Sequence, residues 1–192
     1  MRSICATLSV HPTKRGYKVQ SVHLLRHFRV KDHDKGFMNA DEFLAWVKRY
    51  DKSDMEYLRV NLPMKLDKVY VSSQQRALKS AMFLDLEYER SDLLVEVDAQ
   101  AFIGGKIKLP KKLWLLIDRL SWYLNIRKVE KRSDTTQRAR SFIKKLKETD
   151  DVLIISHGLF MHVLISELKK EGFEGSVDKK IKNATIYTLE KS

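Results

Sequence analysis

The segment Val152-Leu153-Ile154-Ile155-Ser156-His157-Gly158 constrains this chain more than any other. Four consecutive large apolar residues cannot alternate between a core and water, so both faces of that backbone need cover. A run this short, followed at once by glycine and a helix-period stretch from Leu159 to Lys170, predicts a strand buried between two helical layers. Similar runs occur at Ser21–Leu25, Lys68–Val71 and Leu93–Val97, and the closing run Ala184–Leu189 predicts an edge strand.

Helix-period segments lie between these runs. Asn39 and Glu42 form a capping-box pair ahead of a helix over Ala40–Tyr50, with Phe43, Leu44 and Val47 on its apolar face. A second helix carries Ala77, Leu78, Ala81 and Met82 on one side, and a third, Gln137–Lys147, carries Ala139, Phe142, Ile143 and Leu146. Pro110 opens Lys111–Ile126, where Leu113, Leu116, Ile117, Leu120 and Leu124 follow helical spacing and Trp114, Trp122 and Tyr123 widen the apolar surface. Asp118 and Arg119 interrupt that surface, which predicts a packed or interfacial helix. No apolar run approaches 18 residues, so no membrane span is expected. Upstream, Ile4–Val10 and Tyr17–Val19 flank His11–Gly16 and predict a hairpin.

The 192 residues, 43% hydrophobic and 32% charged, suit one domain over 1–192 with its own core, and no Gly- or Ser-rich linker divides them. Thirty-seven basic residues against 25 acidic ones leave +12, which favours anionic partners without choosing among them. The lysines and arginines are spread along the chain, and no basic stripe interleaved with aromatics predicts a nucleic-acid partner. A single cysteine, Cys5, excludes a disulfide framework and a multi-cysteine zinc site. It fits a reducing, cytoplasmic setting, with Met1–Val10 read as mature chain.

Ligands of open α/β sheets collect beyond the carboxyl ends of the strands. There, Val22–Leu25 runs into Arg26-His27, Val69–Val71 into Ser72-Ser73 with Arg76 beyond, and Val152–Ile155 into Ser156-His157-Gly158. Leu93–Val95 leads to Glu96, with Asp98 as its substitute. Two guanidiniums can hold phosphoryl oxygens in forked hydrogen bonds. A neutral imidazole is a nucleophile toward phosphorus, and neighbouring arginines lower its pKa. An acid must then protonate the leaving oxygen and activate water. This chemistry requires neither metal nor cofactor.

These blocks resemble those of the histidine phosphatase (phosphoglycerate mutase-like) superfamily. Leu24-Leu25-Arg26-His27 is similar to its Arg-His-Gly opening, Ser72-Ser73-Gln74-Gln75-Arg76-Ala77 to its second block, and Ile155-Ser156-His157-Gly158 to its Ser-His-Gly block. Asn183-Ala184-Thr185-Ile186 resembles the closing strand. The resemblance implies a three-layer α/β/α sandwich with a mostly parallel sheet, an antiparallel edge strand and a helical insertion over the strand ends, in segments around 30–65 and 99–130. It implies His27 as phosphohistidine, Arg26, Arg76 and His157 as the phosphate pocket, and Glu96 as proton donor. The activity implied is a metal-independent phosphatase on a phosphorylated small molecule. A mutase and a phosphate-binding module without turnover are the alternatives.

Four departures stand out. Phe28 replaces the glycine after the nucleophile, where a bulky ring would narrow the pocket or turn toward substrate. Arg29 and His33 become possible pocket residues. Ala99–Gly105 stands where a Gly-x-x-Glu-Gly stretch is expected, and no additional basic contacts of the mutase kind are identifiable in the inserted segments.

Overall fold

A computed structural model of the chain describes residues 20–34, 36–101, 103–127, 129–146 and 151–191. The hairpin expected over 4–19 lies outside them. Five strands form the central sheet: β1 (Gln20–Arg26), β2 (Lys68–Ser72), β3 (Glu89–Ser91), β4 (Val152–Ser156) and β5 (Ile186–Lys191), in the order β3-β2-β4-β1-β5. β1, β2, β3 and β4 run parallel, while β5 lies antiparallel against β1 at the edge, with Leu24 opposite Tyr187.

Successive strand residues point to opposite faces and so feed two cores. Val22, Leu24, Tyr70, Val152 and Ile154 face a core that includes Phe142 of helix α4 (Arg132–Ile143) and Phe160, Leu164 and Leu168 of α5 (Gly158–Lys170). Leu25, Val69, Val71, Leu153 and Ile155 face Ala77 and Ala81 of α2 (Gln75–Phe83). Every side chain from Val152 to Ile155 is fully buried, as the unbroken apolar run demands. Helices on both faces of a mostly parallel sheet make the three layers.

A third, smaller core joins α1 (Ala40–Lys52) to α3 (Lys111–Tyr123). Phe43 stacks on Trp46 and on Trp114, while Val47, Ala99, Ala101 and Leu115 pack around them. The Asn39–Glu42 capping box starts α1 as expected, with both reciprocal bonds made.

Four local expectations are corrected. Leu93–Val97 is not a strand: the strand is Glu89–Ser91, and Asp92–Leu94 makes a short 3-10 turn. Leu94 and Val97 are buried there without a ladder, so their apolar character reflects packing and not pairing. Helix α4 begins at Arg132, five residues before the apolar period shows itself. On α3 the leucine stripe faces outward, with Leu116 and Leu120 about half exposed, while Trp114, Asp118, Ser121 and Trp122 are buried. Met82 likewise faces water on α2. Among the described residues, no helix is long and apolar enough to cross a membrane.

Candidate active site

β1, β2 and β4 end side by side, with Leu25 opposite Ile155 and Val71 opposite that same Ile155. The residues just beyond therefore meet, although they lie far apart in sequence. His27 is held by its own backbone, its N–H donating to Ser156 O (3.0 Å) and its carbonyl accepting from Asn183 Nδ2 (2.8 Å). Next to Asn183, Ala184 adopts a left-handed φ of 53° and donates its N–H to Arg26 O at 3.0 Å. That conformation is unfavourable for a residue with a Cβ and is maintained by its surroundings.

The ring of His27 has a definite tautomer. Its Nδ1 lies 2.6 Å from the carbonyl oxygen of Phe28. A carbonyl can only accept, so Nδ1 carries the proton and Nε2 has its lone pair free. Burial holds this imidazole well below its ordinary pKa, and the charges of Arg76 and Arg26 push the same way.

His157 is fixed with the opposite tautomer. Arg76 Nε donates to its Nδ1 at 3.0 Å, so the proton sits on Nε2, which donates to Ser72 Oγ at 2.7 Å. Its ring centroid is 5.1 Å from that of His27. Burial, then Arg76, hold this imidazole neutral as well. Arg76 in turn donates from Nη1 to Asp51 Oδ1 at 2.8 Å and lies over the Tyr50 ring.

Arg26 donates Nη1 to Ile181 O (2.7 Å), yet its Nε is buried without a hydrogen-bond partner. Gly158 makes room for it: a Cβ there would lie 3.0 Å from Arg26 Cζ. Burial opposes the charge of Arg26, Glu96 supports it, and Arg76 and Arg119 repel it. An anion placed among these guanidiniums would relieve that repulsion.

Glu96 reaches the N-terminus of α5. Its oxygens accept from Leu159 N (3.1 Å) and Phe160 N (3.0 Å), where the helix presents unpaired amides and positive potential. Arg138 supports the strandless segment before it, donating to Leu93 O and Val95 O.

A cavity of about 500 Å³ opens over these groups, with Arg26, His27, Arg76, Glu96 and Asp98 in its wall. His157 sits behind that wall, oriented by Arg76. Arg29 and His33 lie elsewhere: Arg29 is exposed beside Glu56, and His33 edges a separate shallow depression with Asp32 and Arg49. Phe28 also points away from the cavity. Its ring meets Tyr57 and Phe83 edge-on, so the bulk that replaces glycine is absorbed by an aromatic cluster and does not narrow the site.

Sequence reasoning missed Tyr50, Asp51, Gln74 and Arg119, all in the cavity wall. Tyr50 and Asp51 end an ordinary amphipathic helix, and Arg119 interrupts an apolar stripe. No local pattern marks these three. Among the described residues, no group of three His, Cys, Asp or Glu side chains is placed to hold a metal ion.

The family model for the histidine phosphatase superfamily (branch 1) matches residues 57–192, which include Arg76, Glu96 and His157, with Arg26-His27 upstream of the matched span. The chain is 26% identical over 171 residues, 86% of its length, to a chicken (Gallus gallus) 6-phosphofructo-2-kinase/fructose-2,6-bisphosphatase. It spans only 35% of that relative. Among solved structures, mycobacterial hydrolase 2 superimposes with a TM-score of 0.57 at 17% identity, covering 91% of this chain and 83% of that one. A mycobacterial glucosyl-3-phosphoglycerate phosphatase gives 0.53 at 16% identity, covering 88% and 89%. At these identities the structural likeness speaks for the fold alone.

Proposed function

This chain belongs to the histidine phosphatase superfamily, and on that premise we propose that it hydrolyses a phosphorylated small molecule through a phosphohistidine on His27, without a metal ion. The observation that carries the reading is the His27 Nδ1–H···O bond to Phe28, which leaves Nε2 bare beside two guanidiniums. Nε2 attacks phosphorus, forming an N–P bond as the P–O bond to the leaving group breaks. Positive charge that builds on the ring is spread into the short bond to the Phe28 carbonyl. Arg26 and Arg76 offset the charge on the phosphoryl oxygens throughout.

Glu96 carries the proton. Of the two acids considered, it is the one whose charge acts on Arg26 and Tyr50. It donates to the leaving oxygen and then takes a proton from the attacking water. Water adds to phosphorus, the N–P bond breaks, and phosphate leaves with His27 restored. His157 acts through Arg76, whose Nε it holds.

The experiment measures phosphate release from p-nitrophenyl phosphate and a panel of phosphometabolites, with and without chelator, beside His27→Ala. Release should survive chelator and vanish in the variant. Activity lost to chelator, or kept by His27→Ala, overturns the reading. Equilibration of phosphoglycerate isomers without net release replaces it with a mutase.

A further inference from the structure

The cavity is larger than the phosphoryl group the reading above puts in it. Its volume of about 500 Å³ is that of a small-molecule site. Beyond His27 and its arginines, the wall is built by the two helices of the smaller core: Trp46, Val47 and Tyr50 from α1, Leu115 and Arg119 from α3. Leu115 and Arg119 are one helical turn apart, so they share a face.

Arg119 is the unusual member. Its Nη1 is buried and has no hydrogen-bond partner. The nearest carboxylate oxygen, Asp118 Oδ2, is 4.0 Å away and is itself unpartnered. The other oxygen of Asp118 is committed, accepting from Gln100 N at 2.9 Å and lying 3.2 Å from Arg127 Nη2. Asp118 thus shares one negative charge between two guanidiniums, and the charge of Arg119 is left largely unmet. Its field reaches Arg26. The cavity wall as a whole holds five cations (Arg26, Lys48, Lys52, Arg76, Arg119) against three carboxylates (Asp51, Glu96, Asp98). Lys48 and Lys52 are exposed to solvent, whereas Arg119 is partly withdrawn from it, where a charge-assisted contact counts for more.

We infer that Arg119 selects phosphate monoesters bearing a second anionic group, a carboxylate or another phosphate, carried across the apolar strip of Trp46, Val47 and Leu115. This rests on the reading that the His27 end of the cavity receives the phosphoryl group. The Asp118–Arg127 pair anchors α3 to the segment that carries Glu96, since Arg127 also donates to Asp98 O, so Arg119 is held in register with the chemistry. The basic contact that no local pattern reveals in the inserted segments is supplied here by a single interruption in an apolar helix.

The test compares phenyl phosphate, 4-carboxyphenyl phosphate and 1,4-phenylene bisphosphate, which share one ring and differ in the distal charge. Wild-type protein should favour each doubly anionic ester over phenyl phosphate by about tenfold or more in kcat/KM, the worth of one charge-assisted hydrogen bond. Arg119→Gln should bring those ratios close to one through KM, and Arg119→Lys should fall between. The larger of the two ratios identifies the distal group as carboxylate or phosphate. A wild-type ratio near one, or an equal loss on all three esters in the variants, overturns the assignment. Calorimetric titration of the same esters into His27→Ala protein measures the preference without turnover. A preference there despite failed catalysis sinks the phosphatase reading alone, and no preference there sinks this one.

Discussion

Two buried neutral imidazoles make the stability of this protein depend on pH in a window where few other groups titrate. His27 and His157 are 2% and 0% exposed, and burial holds both well below the ordinary value. Unfolding returns each to the ordinary range near 6.5. Below that pH the unfolded chain binds protons that the folded chain refuses, so the stability present above pH 6.5 is lost as pH falls. While a folded imidazole stays neutral, its contribution between pH 7 and pH 5 integrates to about 2 kcal/mol, and two give roughly 4 kcal/mol. Urea unfolding of wild type, His27→Gln and His157→Gln at pH 7, 6 and 5 measures this directly. Each variant removes one titrating group, so its stability difference from wild type should shift in the variant's favour by about 2 kcal/mol between pH 7 and pH 5. His23 and His162, whose pKa values burial also lowers, remain in every protein and cancel in that difference. A difference that does not change with pH would mean that the imidazole titrates normally when folded, and that His27 is not a nucleophile kept neutral by its site.

Two other perturbations probe the site's construction. Gly158→Ala places a Cβ 3.0 Å from Arg26 Cζ and 3.3 Å from Nε and Nη1, so the guanidinium must move. We expect kcat/KM for phenyl phosphate to fall on the order of tenfold or more with the thermal midpoint nearly unchanged; an unaltered rate would show that Arg26 need not stand where it does. Glu96→Gln should cost roughly 100-fold or more on phenyl phosphate, whose leaving oxygen needs a proton, and much less on p-nitrophenyl phosphate. An equal loss on both esters would reduce Glu96 to its other visible task, receiving the Leu159 and Phe160 amides at the start of α5.

Legibility of the site followed the range of the interactions involved. Arg26, His27, Arg76 and His157 could be read because each sits just past an apolar run, and strands laid side by side bring their ends together. The segment before Glu96 misled: Leu93–Val97 has strand composition, yet Leu94 and Val97 are buried against helices while Arg138 takes up the carbonyls of Leu93 and Val95. Backbone groups satisfied by a distant side chain leave no local signature. Phe28 shows the same limit, since whether a bulky ring enters the cavity depends on Tyr57 and Phe83, which lie 29 and 55 positions away.

What the residues alone determined was the layering: runs that cannot alternate must be covered twice, and the Asn39–Glu42 pair starts a helix wherever that helix goes. Direction, by contrast, came from the assembled fold. Helix α3 is apolar on more than one side, so its periodicity could not say which side faces inward. Packing of Trp114 and Trp122, together with the buried Asp118–Arg127 pair, turned the leucines out and brought Arg119 to the cavity. The tautomers of His27 and His157 were decided in the same way, one by an adjacent carbonyl and the other by an arginine 81 residues away. A hydrogen-bond partner fixes where a proton sits, and most of those partners are chosen by the fold.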